Sequence, residues 1–176
     1  MKEKRHLIII GFMGTGKTTV GRELANRMNL PWVDTDRYLE ERWGFAISEY
    51  FRKFGEPAFR EQETEILKEI LQGPPSLITT GGGIVLRPEN RMMMQRQGWV
   101  VHLYAHPDEI IRRVSGDGNQ ERPLIQGDVR EKVWRLFRER EGKYDFADLK
   151  LDTTSCTVNQ AVEQILAFWH KNTFNS

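Results

Sequence analysis

GFMGTGKT, residues 11–18, fits the pattern G-x-x-x-x-G-K-[ST]. It stands between LIII at 7–10, an apolar run of strand length, and a segment in which Val20, Leu24 and Met28 share one helical face. A strand, a glycine-rich turn and a helix in direct succession are the context this pattern requires. The glycines let successive backbone N–H groups converge on a β-phosphate, and the positive end of the helix favours the same charge. Lys17 is expected to reach the β and γ oxygens and Thr18 to offer its hydroxyl to Mg²⁺, with Gly14, Thr15, Gly16 and Thr19 completing the nucleotide contacts. The alternative, a glycine-rich turn with a chance lysine, does not explain why pattern and context agree. A phosphate cradle of this kind leaves the second substrate open.

Outward from the turn, further apolar runs alternate with helix-period segments: PWV (31–33), SLIT (76–79), WVVHLY (99–104) and a weaker LKL (149–151). Ile66, Leu67, Ile70 and Leu71 mark one buried helical face, and Val158, Val162, Ile165, Leu166 and Trp169 another. Such alternation predicts an α/β fold with a parallel sheet covered on both sides. Gly73-Pro74-Pro75, Arg87-Pro88 and His106-Pro107 supply the punctuation. Residues 115–128, SGDGNQERPLIQGD, are polar, glycine-rich and aperiodic, which reads as a loop bounded by helices: a surface excursion or a lid.

The chain of 176 residues suits one domain, a size that buries about 70% of the unfolded surface. With 39% hydrophobic and 29% charged residues and a net charge of +1, it has a globular composition without a polyanion-binding footprint, so no nucleic-acid partner is expected. A single cysteine, Cys156, cannot pair internally and suits a reducing, cytoplasmic setting. The opening MKEKRHLIIIGFMG mimics a signal peptide, but glycines and Lys17 follow where a cleavage site would stand. No run approaches the roughly 20 apolar residues of a membrane span, so no membrane partner is expected.

In PWVDTDRYLEE (31–41) an apolar run meets two aspartates, Asp34 and Asp36, just before a helical pattern. Phosphoryl-transfer cradles of this type usually draw a second acidic group from another strand end. The third run ends LITTGGG without one, which leaves Asp34 and Asp36, at the carboxyl end of the second strand where ligands of open α/β sheets collect. Residues two apart in an extended segment project to one side. One carboxylate then serves a metal through water and the other accepts a substrate hydroxyl; alternatively, Asp34 or Thr35 is simply a helix N-cap. Gly81, Gly82 and Gly83 permit close backbone approach to a ligand or form a loose turn. Arg60, Arg122 and Arg140, each taken singly, read as solvated charges. Met92, Met93 and Met94 read as packing, the four histidines lack metal-ligand spacing, and the five tryptophans read as core or groove residues.

The ordered set GFMGTGKT, DTD (34–36), FREQE (59–63), GGG (81–83), ERPL (121–124) and R-x-x-x-Y from Arg140 to Tyr144 resembles the shikimate kinase family over nearly the whole chain. The resemblance implies transfer of the ATP γ-phosphoryl group to the 3-hydroxyl of shikimate, on the pathway to chorismate. It also implies a three-layer α/β/α P-loop fold with a five-stranded parallel sheet of order 2-3-1-4-5, a mobile lid within about 113–128 and a shikimate-binding helical region at about 36–63. Carried over by position, Asp36 would bind the shikimate hydroxyls and handle the proton of the attacking one, Arg60 and Arg140 would hold the carboxylate, and Gly82, flanked by Gly81 and Gly83, would meet the ring hydroxyls. Arg122 would reach the phosphates, Arg113 would pack on adenine, and Asp34 would act on Mg²⁺ through water beside Thr18. Glu63 would orient an arginine, and Phe51 and Phe59 would wall the ring. The segment DTTSC (152–156) lacks the basic residue some relatives place near adenine, which leaves base recognition to Arg113 and backbone groups. The whole chain is expected to be one monomeric domain.

Overall fold

Along β1 (His6–Gly11), Leu7 and Ile9 enter one hydrophobic cluster while Ile8 and Ile10 enter another, and all four are fully buried. Two-residue alternation with both faces buried is the signature of a central parallel strand. The computed structural model describes residues 4–116 and 128–173. Among them β1 is followed by α1 (Lys17–Met28), β2 (Trp32–Asp34), α2 (Thr35–Trp43), α3 (Ile47–Gln72), β3 (Leu77–Thr79) and a short 3-10 turn (Ile84–Leu86). Then come α4 (Pro88–Gln97), β4 (Gly98–Tyr104), α5 (Pro107–Gly116), α6 (Val129–Glu139), β5 (Leu149–Asp152) and α7 (Val158–Thr173).

The five strands are all parallel in the order β2-β3-β1-β4-β5. Parallel neighbours require a crossover, and the helices supply it while sealing both faces. On one face Leu39 of α2, Ile66, Leu67, Ile70 and Leu71 of α3 and Met94 of α4 pack with Ile8, Ile10 and Ile78. On the other, Val20, Leu24 and Ala25 of α1 and Ala161, Val162 and Ile165 of α7 pack with Leu7, Ile9 and Leu77. Ile110 of α5 meets Val133 and Leu136 of α6 in a satellite cluster closed by Phe12.

Two apolar expectations are only partly met. Val158, at the first turn of α7, is 41% exposed, because the helix begins beside the crevice described below rather than over the sheet. The methionine run divides: Met94 is buried, whereas Met92 is 50% exposed. Helix α3 bends at Gly55 (φ +78°), two residues before Pro57, and the part beyond the bend carries Arg60 and Glu63. The 36–63 region expected to bind substrate spans α2 and α3 as far as Glu63, across the bend at Gly55. The 113–128 lid span begins as the last turn of α5, and residues 117–127 lie outside the described residues. No helix among the described residues is long and apolar enough to cross a membrane.

Candidate active site

Between β1 and α1 the chain reverses around glycines that no other residue replaces without strain. Gly11 has φ +154°, and a Cβ there would lie 2.3 Å from the Leu103 carbonyl oxygen of β4. Gly14 and Gly16 also take positive φ, at +74° and +93°. Gly16 caps α1, whose first N–H groups have no acceptor within the helix and carry its positive end. The turn is tied from inside: Thr15 Oγ1 donates to the Phe12 carbonyl at 2.8 Å, and Lys17 Nζ donates to the same oxygen at 2.9 Å. The Thr15 hydroxyl is thereby used up structurally, so of Thr15 only the backbone N–H is available to an anion. Thr18 and Thr19 are exposed at the helix start.

Arg113 reaches this turn from α5. Its Nη1 donates to the Gly14 carbonyl at 3.1 Å, its Nη2 to the Thr153 carbonyl at 2.7 Å and its Nε to Glu109 at 2.7 Å. Three hydrogen bonds, two from Arg112 and one from Arg113, hold Glu109 down at a pKa of about 2, so the anchor is charged at physiological pH. Arg113 thus clasps the turn to the segment after β5, and with Cys156, Thr157 and Val158 it walls the outer end of the crevice.

Asp34 ends β2 and does two jobs with its two oxygens. Oδ1 accepts from the backbone N–H groups of Asp36 and Arg37 (3.1 and 3.2 Å) and caps α2. Oδ2 accepts from the Thr79 hydroxyl at 2.7 Å and lies 3.5 Å from Thr18 Oγ1. The cap and the neighbour of the phosphate cradle are the same side chain.

Asp36 points inward, and its Oδ1 is buried without a hydrogen-bond partner among the described residues. Burial, then the nearby Glu63 and Asp34, push its carboxyl up to about 7, with Lys17 pulling the other way. Glu63 is likewise raised by burial, against the pull of Arg60 and Arg140. Its Oε2 accepts from Arg60 Nη1 at 2.8 Å, while Oε1 has no partner among the described residues. Arg60 also bonds Glu56 through Nε and Nη2. Arg140 is 2% exposed, its guanidinium lies 5.0 Å from the Phe12 ring centroid, and its Nη1 too has no hydrogen-bond partner among the described residues.

All of these groups press on the three glycines. A Cβ at Gly81 would stand 2.6 Å from Asp36 Oδ1, one at Gly82 3.0 Å from Arg140 Nη1, and one at Gly83 2.3 Å from Arg60 Nη1. The glycine run therefore admits an acid and two arginines to the same spot. Its backbone is held by Thr35 Oγ1, which accepts from the Gly81 N–H at 3.1 Å, and by the Tyr144 hydroxyl, which donates to the Gly82 carbonyl at 3.0 Å. Tyr144 stacks on His102 with centroids 4.4 Å apart. Burial, then Lys150, lowers His102 to about 4, so this support is neutral at physiological pH.

One crevice of about 1470 Å³ thus gathers Lys17, Thr18, Asp34, Asp36, Arg60, residues 81–83, Arg113 and Arg140, with Phe51 and Phe59 on its wall. Arg122 lies outside the described residues. Sequence reasoning left Thr79 unassigned, read Trp32 only as a core or groove residue, and passed over Glu56. The first two are far apart in the chain and meet only through the β2–β3 register, which pairs Asp34 with Thr79. Glu56, four residues before Arg60, carried a helical-spacing signal.

The model of the shikimate kinase family matches residues 13–170. The shikimate kinase of Enterococcus faecalis is 40% identical over 161 residues, covering 91% of this chain and 95% of that protein. The shikimate kinase of Pelotomaculum thermopropionicum is 40% identical over 171 residues, covering 97% and 98%. Among solved structures, shikimate kinase from Acinetobacter baumannii in complex with shikimate superposes with a TM-score of 0.89 at 32% identity, covering 96% of this chain and 94% of that one.

Proposed function

The chain belongs to the shikimate kinase family and carries out its ATP- and Mg²⁺-dependent phosphorylation of shikimate, and we propose that the crevice divides this work between a phosphate end and an acceptor end. The observation that carries the division is the convergence of Asp36, Arg60 and Arg140 on the glycine run at one side of the cradle. An arginine pair beside an acid suits an acceptor bearing both a carboxylate and hydroxyls, because the planar guanidinium fork matches carboxylate geometry.

In this reading Arg60 and Arg140 hold the shikimate carboxylate and the backbone at residues 81–83 meets its ring hydroxyls. Glu56 and Glu63 fix the Arg60 fork before substrate arrives. Asp36 accepts the hydrogen bond of the 3-hydroxyl, aims that oxygen at the γ-phosphorus and takes its proton as the new P–O bond forms and the bond to the ADP oxygen breaks. A carboxyl poised near 7 matches that task better than one ionised at pH 4. Lys17, the N–H groups of Gly14 to Thr19 and Arg122 neutralise the phosphate charge, and Arg113 flanks the adenine. Phosphoryl transfer needs little covalent help from protein, so placement and charge dominate.

Thr18 Oγ1 and Asp34 Oδ2 are hard oxygens beside the cradle, a donor set that suits Mg²⁺, which keeps several waters and takes few protein ligands. When bound, the ion neutralises phosphate oxygens during transfer. In this reading the protein acts as one monomeric, cytoplasmic kinase domain. ADP release measured with shikimate, gluconate and nucleoside monophosphates tests the acceptor: turnover is expected with shikimate, and turnover with a nucleotide alone would overturn the reading.

A further inference from the structure

Trp32 and Thr79 have no place in the chemistry above, yet they form a directed chain of hydrogen bonds that ends on Asp34. Trp32 Nε1 lies 3.0 Å from Thr79 Oγ1, and Thr79 Oγ1 lies 2.7 Å from Asp34 Oδ2. An indole N–H only donates. The Thr79 oxygen must therefore accept from Trp32, and its single hydrogen is left to point at Asp34. Thr79 is fully buried, and the methyl side of its rotamer is locked: a Cβ on Gly21 of α1 would fall 2.3 Å from Thr79 Cγ2. The sheet register brings the pair together, with Asp34 directly opposite Thr79 on adjacent parallel strands.

We propose that Trp32 and Thr79 are positioning residues for the metal-serving oxygen of Asp34, an inference that rests on Asp34 serving Mg²⁺ as read above. With Oδ1 committed to the α2 cap, the carboxylate plane has one remaining freedom, and the Thr79 hydroxyl removes it. Oδ2 then presents its other lone pair toward Thr18. Hydrogen-bonding partners behind a metal-associated ligand typically govern about 10- to 100-fold of metal affinity. A purely structural tether between β2 and β3 would instead affect nucleotide binding equally with and without metal.

Calorimetric titration of ADP, once with excess MgCl₂ and once with EDTA, separates these cases, since the ratio of the two Kd values is the metal's contribution. Thr79→Val should shrink that ratio roughly 10-fold while leaving the EDTA value unchanged. Thr79→Ser, which keeps the hydroxyl, should restore it, and Trp32→Phe, which leaves that hydroxyl in place, should shrink it by roughly a few-fold, less than the bottom of that range. Should Thr79→Val melt below the assay temperature, Trp32→Phe and Thr79→Ser carry the comparison. An unchanged ratio in both Thr79→Val and Trp32→Phe, or a loss of equal size with and without Mg²⁺, overturns the proposal. Asp34→Asn separates the two levels: if it keeps the wild-type ratio, the metal reading of Asp34 itself falls. If it loses the ratio while Thr79→Val and Trp32→Phe keep it, only the relay falls.

Discussion

The phosphate end and the acceptor end of the crevice are built on opposite plans. At the phosphate end, consecutive residues make the site, and its polar side chains are tied to backbone: Thr15 and Lys17 to Phe12, Arg113 to Gly14 and Thr153. At the acceptor end, segments from α2, α3, the glycine run and the end of α6 meet. There Asp36, Glu63 and Arg140 each keep a buried polar atom with no hydrogen-bond partner among the described residues. A buried unsatisfied polar atom costs about 1–3 kcal/mol. The contrast teaches that the glycine turn is held by its own backbone, whereas the packing at the other end leaves buried polar atoms unsatisfied among the described residues.

Asp36→Asn should break the acceptor end most cleanly. Loss of the proton acceptor is expected to lower kcat by about 10²- to 10⁴-fold, with the Kd for ADP nearly unchanged. The folded carboxyl holds its proton up to about 7, against 3.8 in the ordinary state. Its contribution to stability is therefore fully present below the unfolded value and is lost as pH rises toward 7. At pH 8 the fold bears a buried charge, so the variant should melt higher, by about 2–4 °C for each kcal/mol recovered. A lower melting temperature at pH 8, or wild-type turnover, would show that this acid is structural.

Gly83→Ala against Gly11→Ala sharpens the contrast. At Gly83 the added methyl displaces the Arg60 fork, the far end of a long side chain, so KM for shikimate should rise about 10- to 100-fold, the loss of a charge-assisted hydrogen bond, with melting little changed. At Gly11 it meets the Leu103 backbone at a φ of +154°, a strain of about 1–3 kcal/mol. That variant should melt lower and lose nucleotide and acceptor binding together. Matching losses in the two variants would erase the distinction between the ends.

The smallest expected effect is the pH profile. With Asp36 near 7, kcat/KM for shikimate should fall roughly tenfold from pH 8 to pH 6 as the carboxyl takes up its proton, while the Kd for metal-free ADP stays flat. The residual activity of Asp36→Asn should lack this limb; if it keeps it, another group titrates.

The alternation of apolar runs, the glycine turn before Lys17 and the proline punctuation determined the strands, most of the helices and the nucleotide end, because each rests on contacts within a few residues of chain. The resemblance supplied the strand order, and residues 34–36, 59–63 and 81–83 could be named as candidates. Their roles stayed ambiguous, since a lone Arg60 or Asp34 fits a surface charge or a cap equally well. Tertiary structure alone decided that one Asp34 oxygen caps α2 while the other lies beside Thr18, and that three glycines make room for Asp36, Arg140 and Arg60. It also decided that Trp32 reaches Asp34 through Thr79. Those facts depend on the register between β2 and β3 and on the bend of α3 at Gly55, where residues tens of positions apart are brought within hydrogen-bond distance by packing rather than by spacing.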